Sequence, residues 1–181
     1  MIPLIAASRV LGPLAEGAPS GAASPTLEAV VWTAIVGATV DAPNTLRKTA
    51  AAGWGNAGAI STRTIASGDG YVEFKCGVTQ GISGLGTGNA NNSYTDVDFG
   101  LTLSGGGWYV YESGTLRTSW AGGLVTDLMR VDVTGGVVRY YQNGVLKYTS
   151  AVVPTYPLLC DAALNSVGST IVGATIYGLL V

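Results

Sequence analysis

The segment from Met129 to Thr149, MRVDVTGGVVRYYQNGVLKYT, has little freedom in how it folds. Gly135-Gly136 and Asn143-Gly144 supply the positive φ angles that two-residue hairpin loops require, so three short antiparallel strands are expected. Loops of that length also set the register. Val133 falls opposite Val138, Val131 opposite Tyr140, Asp132 opposite Arg139 and Arg130 opposite Tyr141. Met129, Val131, Val133, Val138, Tyr140 and Val145 then share a core face. The other face carries an Asp132–Arg139 ion pair across the strands, with Arg130, Tyr141, Leu146 and Tyr148 beside it. An exposed pair of this kind contributes about 0–1 kcal/mol and acts on register more than on stability.

The rest of the chain repeats the pattern of short apolar runs punctuated by glycine, of which there are 27. Strand signals begin at Ala29 and recur at 36–40, 46–49, 59–65 and 71–76. In YVEFKC, Val72, Phe74 and Cys76 take the core face. Gly53-Trp54-Gly55 forms a glycine-rich corner with one large aromatic. Val97 to Leu103 reads as a strand with Val97, Phe99, Leu101 and Leu103 on one face. Trp108 to Tyr111 follows, with Tyr109 and Tyr111 opposite Trp108; further strands run through 116–120, 158–164 and 171–180. No window sustains a 3.6-residue apolar period. About a dozen short strands imply an all-β sandwich of two antiparallel sheets. Cys76 and Cys160 lie in apolar runs, either as buried thiols or as a disulfide if their strands are neighbours.

Residues 1–28 differ in composition, and the sandwich is placed at 29–181. Ile2, Leu4, Ile5, Val10, Leu11 and Leu14 are interrupted by Pro3, Arg9 and Pro13, then followed by a Gly/Ala/Ser/Pro linker. This pattern is too broken for a membrane span or a secretory signal. It is expected to be an arm that anchors the domain to a neighbouring subunit. Charged residues make up only 11% of the chain, and the formal net charge is −2. There is no basic footprint for nucleic acid, and membrane insertion is not expected. So low a charge density suits an assembly and a homo-oligomer.

Five stretches, GYVEFKCG (Gly70–Gly77), SYTDVDFGL (Ser93–Leu101), WYVYESG (Trp108–Gly114), LMRVDVTGGVVRYYQNGVLKYTS (Leu128–Ser150) and YPLLCDAAL (Tyr156–Leu164), together resemble the concanavalin A-like jelly roll, in its lectin-like and SPRY-like branch. The resemblance covers about residues 29–181. It implies a jelly-roll sandwich of the kind found in secreted adhesins, carbohydrate-binding modules and phage surface or tail proteins.

Catalytic motifs are missing. The chain has no histidine, which excludes Ser-His-Asp and Cys-His arrangements. Its glutamates, Glu16, Glu28, Glu73 and Glu112, do not form the Glu-x-Asp-x-x-Glu pattern of retaining glycosidases on this fold. Asp96 and Asp98 share a strand face but read better as a solvated edge. With Asn91 and Asn92 they match no ion-binding loop, so neither metal nor cofactor is expected. Sugar binding on a sandwich uses exposed aromatics with Asp, Asn or Arg beside them. Trp54, Trp108, Tyr109, Tyr111, Trp120, Tyr141 and Tyr148 are available, and the candidate contacts are Trp108, Tyr109, Tyr111, Trp120, Asp96 and Asn92. The expectation is a non-enzymatic surface protein of a phage-like particle, a capsid decoration or fibre component at the virion surface or outside the cell. It would join other virion subunits through residues 1–28 and touch cell-surface glycans. The alternative is a free lectin-like domain.

Overall fold

The computed structural model describes residues 23–42, 44–78 and 80–181. The expected arm residues, Ile2, Leu4, Ile5, Val10, Leu11 and Leu14, lie outside them. In chain order the strands begin with β1 (Thr26–Ala29), β2 (Trp32–Val36), β3 (Ala38–Ala42), β4 (Thr45–Lys48) and β5 (Gly58–Ile65). Next come β6 (Gly70–Val78), β7 (Gly81–Gly86), β8 (Phe99–Ser104), β9 (Gly107–Glu112) and β10 (Thr115–Ala121). The chain closes with β11 (Met129–Thr134), β12 (Val137–Gln142), β13 (Val145–Thr149), β14 (Leu158–Leu164) and β15 (Thr170–Gly178). One sheet, A, has the order β13-β12-β11-β6-β15-β4-β3, with β1 added against β15; the other, B, runs β10-β9-β8-β7-β14-β5-β2. Every pairing is antiparallel, and the sandwich takes in Thr26–Ala29, just ahead of the expected boundary.

Two-residue loops build the hairpins. Gly135 and Gly136 have φ of 60° and 75°, and Asn143 and Gly144 have 51° and 78°. Between β11 and β12 the register has Val133 opposite Val138, Val131 opposite Tyr140 and Asp132 opposite Arg139. Beyond that the expected faces fail in β13. The β12–β13 register shifts between Tyr140 and Tyr141. The extra residue, Lys147, exchanges the faces of β13 beyond it. Tyr148 therefore turns inward against Tyr140, ring centroids 5.7 Å apart. Val145, expected in the core, keeps its place opposite Gln142, but it lies on the edge strand of the sheet and is 59% exposed.

The Asp132–Arg139 ion pair is also absent among the described residues. Arg139 Nη1 donates to the Thr134 carbonyl at 3.0 Å, and Asp132 Oδ1 accepts from Thr134 Oγ1 at 2.8 Å. Both charges find a local partner at Thr134, Arg139 across the tight turn and Asp132 along its own strand, so neither needs the other.

The inter-sheet core alternates along each strand. Sheet A contributes Val72, Phe74, Met129, Val131, Tyr140, Ile171 and Ile176; sheet B contributes Leu85, Phe99, Leu101, Leu103, Trp108, Val110 and Leu164. Cys76 and Cys160 are free buried thiols, and burial pushes each up to about 12. Strand β14 is buried at every position, because core covers one face and a loop covers the other.

Candidate functional site

Alternation that buries Leu85, Leu101 and Val110 sends their neighbours to the opposite face of sheet B. This outer face presents Ile82, Gly84 and Gly86 from β7, Gly100, Thr102 and Ser104 from β8, Tyr109 and Tyr111 from β9, and Asp161 and Ala163 from β14. Glycines occupy its centre because the chain comes close there. A Cβ on Gly84 would stand 1.9 Å from the Phe99 carbonyl oxygen, and one on Gly100 would meet Ile82 Cδ1 at 2.6 Å and Val97 Cγ1 at 3.0 Å.

The loop 87–98 lies down over that centre. Val97 packs with Ile82 and Ala163 in a small cluster separate from the main core, joined by Trp54, Tyr94 and Tyr111. Val97 therefore faces away from Phe99, Leu101 and Leu103, contrary to the expected strand, because β8 starts only at Phe99. Asp98 fastens the loop's two ends: its Oδ2 accepts from Thr87 N (2.9 Å) and Thr87 Oγ1 (2.8 Å), and its Oδ1 accepts from Ser113 Oγ (3.2 Å). Asp96 Oδ2 accepts from Asn91 N at 3.2 Å. Neither acid lines the cleft described next.

The Trp54 corner meets this loop from the other side. Lys48, 1% exposed, sends its Nζ to the carbonyls of Gly53 (2.9 Å) and Leu164 (2.8 Å) and to Asn56 Oδ1. Burial among neutral partners lowers the pKa of this ammonium. Gly55 N donates to the Asn92 carbonyl at 3.1 Å. Trp54 is thereby held against Tyr94 (centroids 5.2 Å), and Tyr94 against Tyr111 (5.5 Å).

Beside these rings opens a cleft of about 470 Å³. Trp54, Tyr94, Tyr109 and Tyr111 form its aromatic walls, Ile82 its floor, and Gln80, Thr102 and Ser104 its polar edge. Among the described residues no charged side chain lines it. The volume falls within the range of about 300–1,000 Å³ usual for small-molecule sites.

Of the residues singled out from sequence, the structure brings Tyr109 and Tyr111 into this cleft. Trp108 is fully buried in the core, its Nε1 donating to Asp127 Oδ2 at 2.9 Å, so no ligand reaches it. Trp120 lies across from Trp108 on the inward side of the edge strand, where its Nε1 donates to Gln142 Oε1 at 2.7 Å. Asn92 and Asp96 sit in the covering loop. Sequence reasoning missed Tyr94, Gln80, Thr102 and the buried Asp161. The Trp54 corner was visible in sequence, but nothing local showed which ring it would meet.

A second, smaller groove of about 380 Å³ lies on the outer face of sheet A, with Arg130, Asp132, Arg139 and Tyr141 among its lining residues. Arg130 is already engaged, 2.7 Å from Glu73 and 3.9 Å over the Tyr71 ring.

No protein-family model matches the sequence, and no curated protein matches it. Solved structures do resemble the fold. The PSpry domain of TRIM65 superposes with a TM-score of 0.61 at 13% identity, covering 80% of this chain and 88% of that one. The carbohydrate recognition domain of Emp46p, in its potassium-bound form, gives 0.53 at 12% identity over 81% and 88%. An alginate lyase of polysaccharide lyase family 7 gives 0.50 at 12% identity over 78% and 79%. The fold is the concanavalin A-like, lectin-like jelly roll. The lyase overturns the expectation that the chain is not an enzyme. This same architecture carries catalysis, so a missing glycosidase motif does not remove the chain from that class.

Proposed function

We propose that the chain is a lectin-like carbohydrate-binding domain whose cleft on the outer face of sheet B takes a neutral glycan. The observation that carries this reading is the gathering of Trp54, Tyr94, Tyr109 and Tyr111 around a few amide and hydroxyl groups. Aromatic faces cover the apolar C–H surface of a pyranose ring, while Gln80, Thr102 and Ser104 exchange hydrogen bonds with its hydroxyls. Among the described residues no cation lines the cleft, which separates it from one suited to polyuronates, whose carboxylates need lysine or arginine opposite them. Lectin-like neighbours of the fold, such as the Emp46p domain, are compatible with the reading.

The test is a glycan panel that holds neutral and uronate oligosaccharides. Neutral sugars are expected to bind, and Trp54→Ala and Tyr109→Ala to lose at least tenfold in affinity, about 1.4 kcal/mol. Binding that survives both substitutions would refute the cleft.

The setting we propose is the surface of a phage-like particle, with residues 1–28 as the attachment to other virion subunits and the domain as a decoration or fibre component. The apolar residues ahead of β1 and the 11% charged content support it. Deleting residues 1–25 is expected to leave a folded sandwich that no longer joins its particle; a truncated chain that still assembles would contradict the attachment.

A further inference from the structure

Beneath the 87–98 loop lies a carboxylate that the cleft does not use. Asp161 sits mid-way along β14, paired with Ile60 of β5 and Gly84 of β7. It is 3% exposed, and its Oδ2 has no hydrogen-bond partner. Gly86 leaves room for it, since a Cβ there would stand 3.2 Å from Oδ2.

The groups facing Asp161 are the wrong ones for a buried charge. From β7 come only Gly84 and Gly86, and from β5 comes Ile60. Arg63 of β5 is turned away, to Glu28 at 3.4 Å and the Leu180 carbonyl at 3.3 Å. Its own strand offers the Ala162 backbone amide. The loop brings two like charges, Asp96 and Asp98. Tyr94, the loop's other titratable group, packs against Trp54 and Tyr111 instead. Asp96 and Asp98 have donors from Asn91, Thr87 and Ser113, whereas Asp161 Oδ2 has none. A further orphan acceptor, Asn92 Oδ1, is buried in the same loop, so this region is short of donors.

A carboxyl sealed from water without a cation satisfies its surroundings by keeping its proton. Burial first, then the charge of Asp96, pushes Asp161 up to about 8. Among the described residues no three acidic, histidine or cysteine side chains are grouped to hold a metal ion, which favours a proton over a cation.

The geometry points to Asp161 as a proton-controlled latch. With its carboxyl neutral the 87–98 loop lies closed on sheet B. Loss of the proton sets three like charges against one another, lifts the loop and carries Tyr94 out of the cleft. The loop movement stands on its own; its effect on glycan binding rests on the cleft reading above.

The experiment is a carbon-13 NMR titration of the full chain from pH 4 to pH 10, following the Asp161 carboxyl and the Val97 methyls. Both are expected to move together, with a midpoint near 8. In Asp161→Asn the Val97 methyls should stay at their low-pH position throughout. In Asp96→Asn, which keeps the latch residue, the Asp161 midpoint should fall. Any of three results overturns the proposal. The Asp161 carboxyl titrates in the ordinary range near 4; the Val97 methyls ignore its ionisation; or millimolar calcium chloride at pH 9 restores the closed position, which would make this a cation site. If the Val97 methyls respond as expected while no sugar binds at any pH, the latch stands and the glycan reading falls.

Discussion

Tyr94 stacks its ring at a tilt against Trp54, with centroids 5.2 Å apart, although the two come from different loops. Lys48 underlies the contact, because its ammonium gathers the Gly53 and Leu164 carbonyls with Asn56 Oδ1. Lys48→Met would keep the length of the side chain and leave those oxygens without a donor. The expected cost is about 2–5 kcal/mol in urea unfolding. Glycan affinity should fall as well, although residue 48 does not line the cleft. A variant of unchanged stability would show that the corner is held by packing alone.

Stability against pH is governed by two aspartates with opposite signs. Burial works to raise the pKa of Asp127, but its donors, the Leu124 amide, Trp108, Asn143 and Gln142, together outweigh burial and lower it. Its contribution is present above the ordinary carboxylate range and is lost as pH falls below about 4. Asp161 is raised, so the folded chain holds a proton that the unfolded chain has released. Stability therefore falls as pH rises from about 4 to about 8. Urea midpoints should peak in mildly acid solution. Asp127→Asn should flatten the acid limb, and Asp161→Asn the neutral one. A wild-type profile that rises steadily from pH 5 to pH 9 would contradict the second assignment.

Close approach at the centre of sheet B makes a sharp contrast between glycines. Gly84→Ala would drive a Cβ to 1.9 Å from the Phe99 carbonyl oxygen, and should cost at least about 1–3 kcal/mol. Gly88→Ala, in the covering loop, meets nothing within 4 Å and should stay within about 0.5 kcal/mol of wild type. Thermal unfolding of both variants measures the difference.

Much of the fold was legible because turn chemistry and period-2 alternation are local. Asn143-Gly144 and Gly135-Gly136 specified the meander register, and YVEFKC showed its core face. The failures came where a non-local event intervened. The shift at Tyr140/Tyr141 turned Tyr148 inward, the edge position of β13 left Val145 exposed, and Thr134 drew Asp132 and Arg139 away from each other. The cleft was half legible: alternation put Tyr109 and Tyr111 on one face. Tyr94 and Trp54 joined them through loop packing that no periodicity encodes. Trp108 was misread because an aromatic type alone does not tell core from surface, although its alternation with Tyr109 set it apart. Asp161 left a usable trace, a lone acid inside the apolar run LLCDAAL.

The most direct measurement of the cleft is an NMR titration of the tryptophan indole N–H signals with the best-binding neutral oligosaccharide. Trp54 lines the cleft, whereas the Trp108 and Trp120 indoles are tied to Asp127 and Gln142 away from it. The expected result is a saturable shift of the Trp54 signal while those of Trp108 and Trp120 stay in place. Saturable shifts at Trp120 with Trp54 unmoved would contradict the assignment of the site.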